Sequence, residues 1–250
     1  MVAVCIVASL TGCSSSSTTG QTTQLTIFAA SSLSPAFTQI ANDFQSGNPG
    51  VHVDFNFGPS DHLAAQIESE GTADVFASAS STWMDDVAKK VGVIYRADLA
   101  RNKLVIITPS DNPANVQSLD DLARPDVKVV LAAQGVPVGD YARQAVDRAG
   151  ISRQVLANLV SSEQDDASTV AKITAGEADA AIVYASDVTG PIGHTVRTIR
   201  IPDSENVVAT YSIAIVRDSS HEALAHSFVL YATSTGGQAT LARLGFEAPR

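Results

Sequence analysis

The sequence predicts an α/β fold in which mostly parallel sheets are covered by helices. Three observations carry this. Short apolar runs suited to buried strands recur along the chain, as at Leu25–Ala30, Leu104–Ile107 and Ala180–Tyr184. Segments with apolar residues at helical spacing separate them, opened by Ser, Thr or Pro and closed by Gly. No repeat of fixed short period runs through the 250 residues.

Taken in order, Leu25–Ala30 (LTIFAA) is a buried strand. Ser34-Pro35 supplies an N-cap and a proline at the first helical position. Phe37, Ile40, Ala41 and Phe44 then follow at helical spacing, and Gly47 ends the helix. Val51, Val53, Phe55 and Phe57 alternate with His52, Asp54 and Asn56, the pattern of a half-buried strand. A turn over Gly58–Asp61 leads to a helix carrying Leu63, Ile67 and Glu68. A strand over Asp74–Ala77 precedes a helix opened by Thr82 and carrying Trp83 and Val87. Leu104–Ile107 is a strand, and Ser118 with Asp121 reads as a capping-box helix start. Val127–Leu131 is a strand, followed by a loop through Gly135–Gly139 and a helix with Tyr141, Ala145 and Val146 that stops at Gly150. Ala180–Tyr184 and Tyr211–Val216 are strands, and Leu224, Phe228 and Tyr231 mark a last helix.

Hydrophobic residues make up 45% of the chain and charged residues 17%, too apolar for a disordered protein. The formal net charge is −10, so a basic footprint for nucleic acid or for anionic lipid is missing. The length suffices for one large domain or two smaller lobes.

The first ten residues (MVAVCIVASL) form an apolar run too short to span a bilayer but suited to a signal peptide over residues 1–12. Leu10-Thr11-Gly12-Cys13 resembles the lipobox of bacterial lipoproteins, which implies cleavage before Cys13 and a lipid on that cysteine. Cleavage there removes Cys5 and leaves one cysteine, so no intramolecular disulfide is expected. Residues 13–24, rich in Ser, Thr, Gly and Gln, read as a flexible tether. The expected location is extracytoplasmic, held to the cell membrane through Cys13.

In open α/β sheets ligands bind beyond the carboxyl ends of the strands, where loops enter helices. Ser31-Ser32, Gly58–Asp61, Pro137-Val138-Gly139 and Tyr184-Ala185-Ser186 are such junctions, and none contains a basic residue. Helix N-termini hold anions through unpaired N–H groups, so this set suits a fully ionised oxyanion bound by neutral donors. No Gly-x-Ser-x-Gly elbow, His-Glu-x-x-His pair or phosphate-binding P-loop occurs. His221 and His226 are five apart and do not share a helix face. Ser-His-Asp catalysis stays open, because triads assemble in space. A hydrolytic enzyme and an interaction lipoprotein are therefore the alternatives of a different class.

Five ordered motifs sharpen the reading. They are Ile27–Leu33 (IFAASSL), Phe57–Leu63 (FGPSDHL), Ala73–Ala79 (ADVFASA), Val136–Ala142 (VPVGDYA) and Ile182–Asp187 (IVYASD). Together they resemble the periplasmic molybdate-binding proteins from Leu25 to the C-terminus. The resemblance implies a type II periplasmic-binding-protein fold of two lobes joined by crossovers near Lys103 and Arg217. Lobe 1 would be residues 25–103 plus 218–250 and lobe 2 residues 104–217, with the ligand cleft between them. It also implies a monomeric, non-enzymatic subunit that captures molybdate or tungstate and delivers it to the permease and ATPase of an ABC importer. Sulfate or phosphate on the same scaffold is the alternative. Ser32 and Ser60 would supply hydroxyl and backbone N–H donors, Val138 and Asp166 backbone N–H groups, and Tyr184 its phenol. No protein atom would bind the molybdenum itself, and no cofactor is implied. Asp166 departs from the family, which commonly has valine there, so its carboxylate is expected to cap the helix or point to water. Hydrogen phosphate wants an acceptor, whereas molybdate and tungstate are satisfied by donors alone.

Overall fold

The structure, a computed structural model, describes residues 22–249. The expected signal peptide and lipidated Cys13 lie outside them. Two five-stranded sheets organise the chain. The first contains β1 (Thr23–Ala30), β2 (Val51–Gly58), β3 (Val75–Ser78), β4 (Val93–Asn102) and β10 (Ala209–Val216), in the order β2-β1-β3-β10-β4. The second contains β5 (Leu104–Pro109), β6 (Val129–Ala132), β7 (Leu159–Glu163), β8 (Ala180–Tyr184) and β9 (Val196–Arg200), in the order β7-β6-β8-β5-β9.

Each sheet is mixed rather than mostly parallel. β1 runs parallel to β2 and β3, and β6 parallel to β7 and β8. β10 lies antiparallel between β3 and β4, and β5 antiparallel between β8 and β9. The parallel strands follow from helical crossovers. α1 (Ser34–Gly47) links β1 to β2, and α2 (Ser60–Glu70) links β2 to β3. α4 (Pro137–Arg148) and α5 (Ser152–Ala157) lie between β6 and β7, and α6 (Asp166–Thr174) between β7 and β8. α3 (Ser81–Lys90), α7 (Glu222–Thr233) and α8 (Thr235–Arg243) complete the set over the first sheet.

Leu25 and Ile27 of β1 are fully buried, as are Phe37 of α1 and Phe228 of α7. Phe228 meets Phe37 and Phe44 edge to face at 6.0 and 5.3 Å. Each such pair contributes about 0.5–1.5 kcal/mol beyond its burial, which fixes α1 against α7. α2 stops at Gly71, whose φ of 64° is the left-handed conformation that ends a helix.

The chain crosses from the first sheet to the second at Lys103, the single residue between β4 and β5. It returns through residues 201–208 and not near Arg217, because β10 is hydrogen-bonded into the first sheet between β3 and β4. Asn206 braces this return: its side chain accepts from Leu104 N (3.0 Å) and donates to Leu104 O (2.8 Å). Two smaller expectations also change. The expected tether to residue 24 ends earlier, since β1 starts at Thr23, whose N–H donates to Gly50 O. Asp121 accepts from Gln117 N, Ser118 N and Ser118 Oγ, but the element it belongs to is only a 3₁₀ segment, Asp120–Ala123.

Candidate functional site: a donor-lined cleft between the sheets

Four helical starts meet between the two sheets. A 3₁₀ turn, Ser31–Leu33, follows β1 directly, and α2 follows β2 with Pro59 setting an extended entry. From the other side, α4 opens with Pro137 in its first turn, and α6 opens at Asp166. The expected loop through Pro137–Gly139 is therefore helix, since proline suits a first turn whose N–H groups have no internal acceptor. Gly139 sets the depth of α4. A Cβ there would lie 2.3 Å from Ala133 O and 2.4 Å from Ala132 O, so only glycine lets the helix start rest on the end of β6.

Ser32, Ser60, Val138, Asp166 and Tyr184 all line one small cavity, together with Ala30, Ser31, Gly58, Pro59, Ala79, Val136 and Pro137. None of these is Lys, Arg or His. Ser32 is buried and its Oγ pairs with Tyr211 Oη at 2.9 Å, with either oxygen able to donate. Ser60 is the first residue of α2, and its Oγ accepts from Ala79 N at 3.1 Å. Val138 is buried in the first turn of α4, where N–H groups lack helical partners. Tyr184 ends β8 and is 1% exposed, yet its hydroxyl has no hydrogen-bond partner among the described residues. A buried polar group left unpaired is costly, so an unpartnered phenol aimed into a cavity is a donor awaiting an acceptor. Burial pushes the Tyr184 hydroxyl well above its ordinary pKa, so it keeps its proton.

Asp166 overturns the expectation for its side chain. Asp165 is the N-cap: its carboxylate accepts from Ser168 N at 2.7 Å, closing a capping box. Asp166 sits one residue on, is 4% exposed, and accepts from Ser31 Oγ across the cleft and from Ala167 N at 3.1 Å. With the cap position taken by its neighbour, the Asp166 side chain turns into the cleft instead of toward water. Burial raises its pKa, against the lowering effect of the Ser31 hydrogen bond.

Two further contacts tie the cleft's sides together. Trp83 Nε1 donates to Gly135 O at 3.2 Å, and at the crossing Asn102 Nδ2 donates to Ser186 Oγ at 2.8 Å. Sequence reasoning named Ser31 only as a junction residue and passed over Tyr211, Asn102 and Asp187. Tyr211 lies in an apolar strand, and nothing local marks it as the partner of Ser32, 179 residues away. The Arg143 guanidinium, on α4, is directed at Ala132 O and Gly139 O and braces the helix start.

The sequence pattern of the bacterial extracellular solute-binding proteins matches residues 25–247. The chain belongs to this family. This solute-binding protein is 39% identical to the molybdate-binding protein ModA of Mycobacterium tuberculosis (strain H37Rv) over 258 aligned positions, which cover 100% of this chain and 97% of the relative. Among solved structures, the periplasmic molybdate-binding protein of Azotobacter vinelandii is similar with a TM-score of 0.80 and 19% identity, over 90% of this chain and all of that one. The sulfate-binding protein SubI of M. tuberculosis is similar at a TM-score of 0.79 and 17% identity, over 90% of this chain and 86% of that one. At those identities the two structures show a shared fold, and one scaffold serves different anions. The family places this solute-binding protein outside the cytoplasm, in binding and transport.

Proposed function

We propose that this chain captures molybdate, and tungstate with it, in the cleft between its two sheets and delivers the oxyanion to an ABC importer. The observation that carries the reading is the convergence of helix starts and the unpartnered Tyr184 hydroxyl on one small cavity without a basic side chain. Helix-start N–H groups and hydroxyls satisfy a deprotonated dianion by hydrogen bonding alone. The full-length similarity to a molybdate-binding relative supports this choice among oxyanions. Ser32, Ser60 and Tyr184 would donate through side chains, and Val138 and Asp166 through backbone N–H groups. Size then selects, since a smaller tetrahedral anion leaves some donors stretched.

Contacts from both sides of the cleft favour the closed form, and that closed form is what a membrane permease with its ATPase would read. Cys13, if lipidated, holds the body at the membrane surface, where a monomer suffices for delivery. Nothing in this mechanism calls for a cofactor or for catalysis.

The Asp166 carboxyl in the cavity wall favours a second reading, a proton-bearing oxyanion such as hydrogen phosphate, for which a carboxylate is an acceptor. A thermal-shift titration of the chain against molybdate, tungstate, sulfate, phosphate and nitrate separates the two. At a hundredfold excess over Kd, the bound anion stabilises by roughly 2.7 kcal/mol. That corresponds to about 5–10 °C for a chain of this size. A shift with molybdate and tungstate alone is expected. A shift with phosphate alone would install the second reading, and no shift with any anion would remove both.

A further inference from the structure

We propose that the oxyanion is captured together with one proton, held on the Asp166 carboxyl, so that Asp166 sets both the affinity of the site and its response to pH. This rests on reading the cleft as the anion site.

Asp166 is the one carboxylate in the cavity wall, and no cation in that wall offsets it. Ionised, it would face a dianion across a space closed to water, where charge repulsion is strongest. The geometry offers a remedy. Asp166 Oδ1 takes both of its donors, Ser31 Oγ and Ala167 N. Asp166 and Asp187, in the 3₁₀ turn Ala185–Val188 after β8, also wall a common cavity. With Oδ1 taking both donors, Oδ2 is the oxygen left to carry a proton. Asp187 is itself fixed in place, its Oδ2 accepting from Tyr184 N at 2.9 Å.

The surroundings supply no competing cation. Among the elements packed on α6, β5, β6 and the Ser31–Leu33 turn carry no ionisable side chain. β7 carries Glu163, β8 carries Tyr184, and the turn after β8 carries Asp187. On α6 itself Asp165 is the cap, and Lys172 in the last turn pairs with Glu177. Tyr211 approaches through Ser32, also as a neutral group kept protonated by burial. Every ionisable side chain on the elements packed against α6 is therefore acidic or neutral, and none offers Asp166 a compensating positive charge. Removal from water, above all, and the neighbouring Asp165 carboxylate act in the same direction on Asp166. A second cavity, of ≈ 470 Å³, is walled by Asp166, Asp187 and Ser31 among others. The unpartnered Tyr184 hydroxyl on the front side is the independent sign that a ligand acceptor belongs there.

Closure is what links the proton to the anion. Ser31 follows β1 in the first sheet and Asp166 opens a helix over the second, so their contact exists only when the cleft is shut. Opening returns Asp166 to water and to an ordinary carboxylate pKa. Capture thus raises the pKa, and one proton passes from solvent to a carboxylate oxygen, forming an O–H bond and breaking none in the protein. By linkage, affinity is full below the open-state pKa and declines as pH rises through the raised, closed-state value.

Isothermal titration of the chain with molybdate tests this, repeated from about pH 6 to 9 in buffers of different ionisation enthalpy. The wild-type chain is expected to take up close to one proton per molybdate, and its Kd to rise by up to about tenfold per pH unit wherever that uptake persists. Asp166→Asn keeps an acceptor for Ser31 but has no proton to gain; its uptake should vanish, and at the high end it should bind more tightly than wild type. The wild-type uptake needs no variant, so a poorly folded mutant does not shelter the proposal. Molybdate binding with a flat Kd and no proton uptake would overturn the proton coupling while leaving the anion site intact. Uptake retained in Asp166→Asn would overturn the assignment to Asp166, and no molybdate binding at any pH would remove the site reading as well.

Discussion

Replacing Tyr184 with phenylalanine removes one oxygen and leaves the ring, so its two consequences can be worked out separately. The ring packs edge to face on Tyr211 at 5.9 Å, a contact phenylalanine retains. The hydroxyl, by contrast, has no partner within the described protein and sits in the cavity wall. A hydrogen bond to a charged acceptor is worth about 1.5–3 kcal/mol. Its loss should therefore weaken molybdate binding by about 10- to 150-fold. The fold loses no hydrogen bond, and the buried oxygen that disappears was a burden. The unliganded melting temperature should then hold or rise, by a few degrees for each kcal/mol of relieved burial, about 2–4 °C. Calorimetric titration with molybdate and a melting curve without it read the two effects on one preparation. A fall in the unliganded melting temperature with unchanged affinity would refute the reasoning, because it would make the phenol a structural group.

Other substitutions probe separate parts of the scaffold. Ser60→Ala removes a cavity hydroxyl that also accepts from Ala79 N. It should weaken molybdate binding about tenfold and lower the unliganded melting temperature by a few degrees, in contrast to Tyr184→Phe. Gly139→Ala forces a methyl against Ala132 O and Ala133 O. Overpacking of this kind costs about 1–3 kcal/mol, seen as a lower urea midpoint. Affinity should fall as well, since Val138 moves with the helix start. Asp121 accepts three hydrogen bonds, chiefly that from Gln117 N, and these hold its carboxyl below the usual range. A depressed carboxylate stabilises above its unfolded pKa and loses that contribution as pH falls through the folded one. The gap in urea midpoint between wild type and Asp121→Asn should thus be open at neutral pH and close below about pH 4.

How much of this could be read from residues alone depended on whether the cause was local. β1 was legible because both its faces are buried, which leaves a continuous apolar run. β4 was not: Tyr95, Ala97 and Leu99 alternate with exposed Arg96 and Asp98, so charged residues interrupt its apolar run. The sheet that receives β10 was misjudged for a related reason. Its apolar pattern announces a strand but not the sheet that receives it, and its neighbours β3 and β4 lie more than a hundred residues earlier. At the site, the helix starts were visible as Ser and Pro at strand ends, and all five expected residues reach one cavity. The direction of Asp166 was hidden because its partner Ser31 is 135 residues away, while the adjacent Asp165 competes for the same cap. Short-range chemistry leaves a trace in spacing, whereas a contact across the cleft leaves none.

The position of β10 also dictates an order of assembly. All five strands of the second sheet are complete once residue 200 has been made. The first sheet, begun at Thr23, has to wait for residues 209–216, which occupy the place between β3 and β4. Until then β3 and β4 face each other across a missing strand, with unpaired N–H and C=O groups on both edges. The part that is made first is thus finished last, and it depends on pairing over a long stretch of chain, the slow kind of folding step. Until nearly the whole chain is available the first sheet cannot close, and the native shape cannot lock.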